Sequence, residues 1–490
     1  MERIFETHRL ITGRKESRTA NRRLAKKRVQ WLIEALCFVS SSLLADSLVL
    51  RNPLLRQAPK RYLQCCWNEQ RADKKFKTDK MKFIIFSLFI LSSLVPFGQK
   101  TGFTKISSDS SKIMFSNNIV ENDSVNITMY DYLYNGGGVG VGDFNNDGLQ
   151  DLFFTGNFVD DKLYLNKGNF IFEDVTVAAG INQNGWSTGV CIFDVNGDGL
   201  DDIYVCRSGW YKDPEKLKNV LYINQGKMKF KEEAALYGLD LPGHHTQAAP
   251  LDFDLDGDLD LYVMGHPGTF SHKSDFQSYV QNIQNGNVES DILLENVNGK
   301  YVDITRKANI VEYGYGLGLA ITDINNDFYP DIIVCNDFDE PDHVFVNQKN
   351  GTFKDENLNY FKHTSNYSMG NDVADFNNDG LLDYISVDMA FDTHERSKMN
   401  MASMTPAKFG TRVKLGWNYQ YMHNMLHLNT GMGVYQEIAQ LSGVSKTDWS
   451  WAPLFMDIDM DGWQDLFLSL IHISEPTRLR RISYAVFCLK

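Results

Sequence analysis

Asp143–Asp151 reads DFNNDGLQD, and the pattern returns five times: DVNGDGLDD at Asp194–Asp202, DFDLDGDLD at Asp252–Asp260, DINNDFYPD at Asp323–Asp331, DFNNDGLLD at Asp375–Asp383 and DIDMDGWQD at Asp457–Asp465. Successive first aspartates lie 51, 58, 71, 52 and 82 residues apart. Periods of this size mean stacked or radially arranged supersecondary units. The flanks agree from unit to unit. Ahead of the loop runs an apolar segment rich in small residues: GGGVGVG (136–142), STGVCIF (187–193), YGLGLAIT (315–322). Behind it runs a β-rich segment: LFFTG (152–156), IYVC (203–206), LYVMG (261–265), IIVC (332–335), YISV (384–387). A strand ending in Asn follows, as in KLYLN (162–166), VLYIN (220–224) and HVFVN (343–347), then a Gly-containing turn and another β run. Alternating apolar residues and Asn/Gly turns are hairpin signals. Each unit therefore reads as strand a, acidic loop, strand b, connection, strand c, tight turn, strand d. Four antiparallel strands per repeat predict an all-β fold, a β-propeller with six repeat units visible. The small residues of strand a suit the innermost position, where blades crowd the axis.

Oxygen ligands at alternate positions of a short loop, with glycine at the sixth, wrap a hard cation; calcium takes six to eight oxygens. Positions 1, 3, 5 and 9 are Asp or Asn in all six loops, and position 7 offers its backbone carbonyl. The candidate calcium ligands are Asp143, Asn145, Asp147, Leu149 and Asp151 in loop one, and Asp194, Asn196, Asp198, Leu200 and Asp202 in loop two. Loop three supplies Asp252, Asp254, Asp256, Asp258 and Asp260, and loop four Asp323, Asn325, Asp327, Tyr329 and Asp331. Loop five supplies Asp375, Asn377, Asp379, Leu381 and Asp383, and loop six Asp457, Asp459, Asp461, Trp463 and Asp465. An EF-hand opens similarly but needs a bidentate Glu at position 12 and flanking helices. Position 12 here is Phe154, Val205, Val263, Val334 and Ser386 in the first five loops, and the flanks read as strands. Asp, Asn and Gly also favour solvated turns, but six such loops at one place in one repeat exceed that reading. Positions 1, 3, 5 and 9 carry 20 aspartates, whose repulsion calcium would relieve, so the ion is expected to stabilise folding. Loop four departs from the pattern: Phe328 stands at position 6, and a bulky side chain is disfavoured at positive φ, which strains, reshapes or weakens that site.

Over roughly 100–467 the units resemble FG-GAP/VCBS repeats, the calcium-loop blades of integrin-α-like β-propellers, particularly those of secreted bacterial proteins that carry such repeats ahead of an ASPIC/UnbV-type C-terminal domain. The resemblance implies calcium at positions 1, 3, 5, 7 and 9 of each loop and a seven-bladed ring. Six loops are visible, and the sixth unit is cut soon after its strand b begins.

The ends differ from the body. The 490 residues hold 49 Lys+Arg and 62 Asp+Glu, a net charge of −13, and 43% are hydrophobic, enough for a core. Residues 1–80 hold 19 basic and 8 acidic residues, whereas 81–470 hold 26 and 53. A body of charge −27 repels polyphosphate and argues against nucleic acid as a partner. Met81-Lys82 followed by FIIFSLFILSSLV (83–95) and small residues up to Gln99 has the layout of a secretory signal peptide, short for a membrane span. Met81 is thus the expected start, 1–80 a spurious upstream extension, and the protein secreted or on the bacterial cell surface, with membrane contact only through an uncleaved leader. Leu468–Arg478 and Ile482–Lys490 resemble the in-frame translation of a transposase-type sequencing adapter, so 468–490 are excluded from the fold; the biological chain is expected to continue beyond Phe467. Of seven cysteines only Cys191, Cys206 and Cys335 lie in the acidic body, with neither a disulfide framework nor a C-x-x-C spacing, and buried thiols are expected.

In such a blade the a–b and c–d connections share one end, and the b–c and d–a connections share the other. The acidic loops are a–b; the long insertions, roughly 266–290 and 390–423, are b–c. Calcium is then structural, and the insertion face is the expected site for an extracellular protein or glycan. The second insertion holds Trp417, Tyr419 and Tyr421 with Met399, Met401 and Met404, types that serve recognition or a local mini-core equally well. Signals for catalysis are weaker. Gly185–Gly189 matches G-x-S-x-G but enters a strand, where a nucleophile elbow needs a strand-to-helix turn. His244, His245, His266 and His272 fall on the insertion face without a metal-ligand spacing. The first reading is a calcium-stabilised binding or adhesion module; the alternative is a polysaccharide-acting lyase or hydrolase using those histidines.

Overall fold

The computed structural model describes residues 104–470 apart from 182–184, 269–280, 282–290, 311 and 401–404, together with Gln281 and Val486–Phe487. The basic head 1–80, the leader-like segment 81–99 and most of the adapter-like tail lie outside the described residues, as do His272, Met401 and Met404. Among the described residues no helix is long and apolar enough to cross a membrane.

Five units fold as four-stranded antiparallel meanders. The first is β1 (Val139–Gly142), β2 (Asp151–Phe154), β3 (Lys162–Asn166) and β4 (Phe172–Asp174). The second is β5 (Trp186–Phe193), β6 (Asp202–Ser208), β7 (Val220–Asn224) and β8 (Phe230–Glu232). The third is β9 (His245–Leu251), β10 (Asp260–Gly265), β11 (Ile292–Asn296) and β12 (Tyr301–Asp303). The fourth is β13 (Tyr315–Thr322), β14 (Asp331–Asp337), β15 (His343–Asn347) and β16 (Phe353–Asp355). The fifth is β18 (Gly370–Ala374), β19 (Asp383–Val387), β22 (Met425–Asn429) and β23 (Tyr435–Glu437). β17 (His363–Ser365) lies outside these meanders and pairs in parallel with β21 (Tyr419–Tyr421) from the unit-five insertion. The sixth sheet borrows β20 (Met389–Ala390) from that insertion, beside β24 (Asp448–Met456), β25 (Asp465–Leu470) and β26 (Val486–Phe487). β25 runs past Phe467 to Leu470, so the strand crosses the boundary that the adapter match drew.

The first long strands, β1, β5, β9, β13, β18 and β24, lie side by side in chain order, which makes the array an all-β propeller of blades around one axis. The small residues of strand a allow this crowding. A Cβ added at Gly189 would stand 2.4 Å from Thr246 O on the next blade, and one at Gly370 would stand 2.6 Å from Trp451 O.

The core lies between blades rather than within any one of them. Phe144, Phe153, Ile203 and Phe230 pack together between blades one and two. Val195, Tyr204, Leu261 and Tyr301 do so between blades two and three. Phe253, Tyr262, Phe345 and Phe353 fill the third interface, Ile324, Cys335, Tyr384 and Tyr435 the fourth, and Leu426, Phe455 and Leu466 the fifth. Position 2 of the acidic loop recurs here as Phe144, Val195, Phe253 and Ile324, all buried. The loop thus sends one residue into the interface while its neighbours face solvent. Cys191, Cys206 and Cys335 are free, buried thiols. Phe253→Ala should lower the free energy of unfolding by about 3–5 kcal/mol, the usual cost of truncating a buried phenylalanine, read from the urea midpoint. An unchanged midpoint would show that the blades do not cohere through this interface.

Candidate functional site

Each acidic loop closes on its own first aspartate. The position-5 amide donates to that carboxylate at 2.9–3.1 Å, and the position-6 amide at 2.7–3.2 Å. The position-7 amide donates to the position-5 carboxylate at 2.8–3.1 Å. This winding requires left-handed backbone at positions 4 and 6. Position 4 is Asn146, Gly197, Leu255, Asn326, Asn378 and Met460, with φ between 57° and 74°. Position 6 is Gly in five loops, with φ of 84–99°, and Phe328 at 71° in the fourth. The demand at position 4 went unread in the sequence because Asn and Gly satisfy it in four loops.

The position-9 aspartate behaves differently. In the first five loops it is buried, one oxygen accepting from the position-2 amide at 3.0–3.3 Å and the other from the amide of the Asn that ends strand c at 2.7–2.8 Å. In the sixth loop Asp465 accepts from Ile458 N at 3.2 Å. Position 9 is therefore a structural acceptor as well as a candidate ligand. Burial pushes Asp151, Asp202 and Asp383 up to about 6, and Asp260 and Asp331 up to about 7, even though their amide donors favour the ionised form.

The candidate ligands do gather. Asp252, Asp254 and Asp260 each offer an oxygen within 4.8 Å of the others, and Asp457, Asp459 and Asp465 do the same. In loops one, two and five the position-3 amide of Asn145, Asn196 and Asn377 touches the position-5 carboxylate at 3.0–3.1 Å. Asp258 Oδ1 and Asn325 Oδ1 are buried without a hydrogen-bond partner, as acceptors awaiting a cation would be. Hard oxygen donors of this number fit calcium. Loop four carries its own cation: Lys349 Nζ lies 3.3 Å from Asp327 Oδ2 and 5.2 Å above the Tyr329 ring.

The other end of the blades is polar and partly capped. Asn117 and Asn157 exchange side-chain and backbone hydrogen bonds at 2.6 and 3.0 Å. Tyr130 bonds Ser208 Oγ at 2.9 Å, and Tyr132 stands edge-on to His266 with ring centroids 4.9 Å apart. His266 Nδ1 lies 2.9 Å from Pro267 O and so carries the proton, leaving Nε2 to accept from Ser208 Oγ at 3.0 Å. Burial drives His245 and His266 down to about 3, so both are neutral. His245 Nδ1 lies 3.0 Å from Asn219 Oδ1 inside the protein. His244 stacks on His266 at 5.1 Å. Ser187 of the G-x-S-x-G run is buried within β5, with Oγ on Asp161 Oδ2 at 3.2 Å.

The unit-five insertion packs and also exposes side chains. Arg412, buried at the end of the helix Pro406–Lys414, bonds Asp339 and Asn366 and fixes the insertion to blade four. Asn418 donates to Phe361 O at 2.8 Å, and Gln420 to Glu340 O at 3.1 Å. Tyr419, Tyr421 and Met399 remain exposed. The insertion is thus anchored by polar contacts and presents an exposed aromatic surface.

The FG-GAP-like repeat family matches residues 143–205 and 323–386. FG-GAP-like repeats are thus found in two places in the chain. Each matched window opens on the first aspartate of one acidic loop and closes within strand b of the next unit. Cartilage acidic protein 1 of Xenopus tropicalis is 30% identical over 133 residues, which cover 26% of this chain and 20% of that protein. The chain thus spans about a fifth of that relative's length. Among solved structures, the fold is similar to an Agrocybe aegerita lectin that recognises non-reducing terminal N-acetylglucosamine (15% identity, 67% of this chain, 73% of that one, TM-score 0.38). It is also similar to BBS1N in complex with ARL6DN (11% identity, 68% and 76%, TM-score 0.37).

Two outcomes follow from the geometry of the acidic loops. Phe328 is 86% exposed, so its side chain contributes little packing against the left-handed strain it bears. Phe328→Gly should raise unfolding free energy by about 0.5–1 kcal/mol, and a lowered urea midpoint would refute that assignment. In chelator, the raised position-9 carboxyls keep their protons in the folded state where the unfolded chain has lost them. Stability should then fall as pH rises from about 4 to about 7 and level off above, measured as the melting temperature across that range.

Proposed function

We propose that the chain is an exported, calcium-stabilised β-propeller that binds an extracellular protein or carbohydrate on the face bearing its insertions, as a binding or adhesion module. The observation that carries this reading is the segregation of the blade ends. The acidic loops gather oxygen donors at one end, and the packed insertion with exposed Tyr419 and Tyr421 stands on the b–c connections at the other. Calcium would be held by positions 1, 3, 5, 7 and 9 of each loop, from Asp143 through Asp465. There it would offset charge that the loops otherwise concentrate. Loop four is the weakest candidate, because Lys349 already meets Asp327. Export rests on the leader-like segment after Met81.

The axial histidines favour binding over turnover. His245 and His266 are buried, and Ser208 is hydrogen-bonded beneath Tyr130. Substitution at His245 would therefore test folding before it tested chemistry.

The deciding experiment is a thermal melt of the full chain in millimolar calcium and in chelator, with a calorimetric calcium titration. The expected result is an upward shift of several degrees at neutral pH with about five or six sites, shrinking towards pH 5 as protons compete for the same oxygens. A protein folded in chelator with no shift would overturn the calcium reading. Capture of glycans or extracellular proteins that Tyr419→Ala and Tyr421→Ala abolish would support the binding face; undiminished capture would move it elsewhere.

A further inference from the structure

Three histidines and a glutamate meet at the insertion end of blade five, away from the acidic loops. His363 opens β17, His423 follows β21, His427 lies in β22 and Glu437 ends β23. His427 and Glu437 are register partners on neighbouring strands, which puts both side chains on one face of the sheet. The ring of His363 stands 6.2 Å from that of His427 and 6.3 Å from that of His423, centroid to centroid. His363 Nε2 lies 3.7 Å from Glu437 Oε2. His427 is 1% exposed, yet neither of its ring nitrogens has a hydrogen-bond partner within the protein. Buried polar atoms are normally paired, and an orphaned one costs about 1–3 kcal/mol. Packing alone does not explain the residue, because its stacking on Phe361, at 4.3 Å, would suit an apolar ring equally well. His423 Nδ1 lies 2.7 Å from Asn424 O and so carries the proton, which leaves the lone pair on Nε2. A ring N–H given to a backbone carbonyl is the usual outer support of a metal-bound histidine. Glu437 Oε1 accepts from the amides of Ala439 and Leu426, at 2.5 and 3.4 Å, which leaves Oε2 towards His363.

We propose that His363, His423, His427 and Glu437 bind a zinc ion, or a divalent transition-metal cation of like chemistry, at a site separate from the acidic loops. Imidazole nitrogens with one carboxylate suit zinc, nickel or copper, whereas calcium takes oxygen ligands. His427 and Glu437, set in the sheet, form the rigid half of the site. His363 and His423 are partly exposed and give the ion its path in. Metal–nitrogen bonds of about 2.0–2.1 Å would set the ring centroids about 5 Å apart, so the two partly exposed rings close on the ion by about 1 Å. Four protein ligands make a closed, structural site rather than a catalytic one. The ion would join β17, the insertion at His423 and the two outer strands of blade five, and so clip the segment that bears Tyr419 and Tyr421 to the blade beside it.

The test titrates zinc chloride into the full chain by calorimetry, with calcium in large excess, and repeats the titration with cobalt(II), whose visible absorption reports tetrahedral nitrogen ligation. The expected result is one zinc site with a Kd of about 1 μM or tighter, and a melting temperature raised above that in calcium alone. His363→Ala and His423→Ala should each weaken zinc binding tenfold or more and leave the melting temperature in calcium alone unchanged. Glu437→Gln should weaken it likewise, since the amide still accepts from Ala439 and Leu426 but no longer offers a charged ligand oxygen. Absence of zinc binding would overturn the proposal. So would undiminished binding in the His363 and His423 variants, which would place the ion elsewhere in the chain. The outcome is independent of the acidic loops: a chain indifferent to calcium that loses zinc on these substitutions would still support the site.

Discussion

One carboxylate per blade ties the propeller together. The position-9 aspartate takes the position-2 amide of its own loop and the amide that ends strand c, so a single buried side chain fixes the a–b turn against the third strand. The linkage continues between blades. The side chain of that same strand-end residue, Asn224, donates to Phe144 O in the preceding loop at 2.9 Å, and Asn347 donates to Phe253 O at 2.7 Å. In loops one and three position 2 therefore gives its amide to its own blade, its carbonyl to the next blade, and its side chain to the core between them. Removing a buried acceptor of this kind leaves two amides without partners, each costing about 1–3 kcal/mol. That penalty explains why Asp, rather than any oxygen-bearing residue, stands at position 9 in every repeat.

The hydrophobic effect acts across the same joints. No single four-stranded sheet of this size buries enough apolar area to stand alone. Phe144 against Phe230, with ring centroids 5.7 Å apart, and Phe253 against Phe353, at 6.1 Å, close the interfaces on the side nearest the acidic loops. At the axis the requirement is opposite: side chains must be small, and Gly189, Gly318 and Gly370 bring neighbouring backbones into contact. Large residues outside and small ones inside give each blade its wedge shape, and a wedge repeated about an axis is a propeller.

Much of this was legible in the sequence because the repeat states it several times. The YGLGLAIT segment became β13 over its whole length, and the strands ending in Asn166, Asn224 and Asn347 fell where the hairpin pattern put them. The acidic loops were legible as oxygen clusters. The double duty of position 9 was not, since a ligand and a structural acceptor look alike in one dimension. One-turn helices after strand d, at Thr176–Ala179, Ala234–Tyr237 and Asn357–Tyr360, escaped because four residues carry no helical period. The cluster around His343 was also illegible. Glu312 lies ahead of β13, Glu340 in the b–c connection and Asp355 at the end of β16, so only the folding of the unit brings them to one imidazole. The cap by Tyr130 and Tyr132 joins residues 78 and 205 positions apart in the chain, beyond any local pattern.

The electrostatic consequence is that architecture and charge cannot be separated here. Position 9 must be a buried carboxylate to join the strands, and positions 1 and 5 must be carboxylates to wind the loop, so the fold concentrates like charge wherever it makes a turn. Burial resists that charge, as the raised position-9 carboxyls record. Near neutral pH that charge is relieved by a proton, which the position-9 carboxyls of the first five loops hold up to about pH 6–7, or by a cation. Loop four has taken the second remedy internally. Lys349, set in the adjoining c–d turn, reaches Asp327, and this is the loop in which glycine has been replaced by Phe328. Phe328 nonetheless keeps the wrapping, its amide donating to Asp323 at 2.7 Å from left-handed backbone. The other five loops retain glycine at position 6 and, among the described ion pairs, have no lysine or arginine at position 5; a cation from solution fits them by the same electrostatics that the lysine satisfies in the fourth.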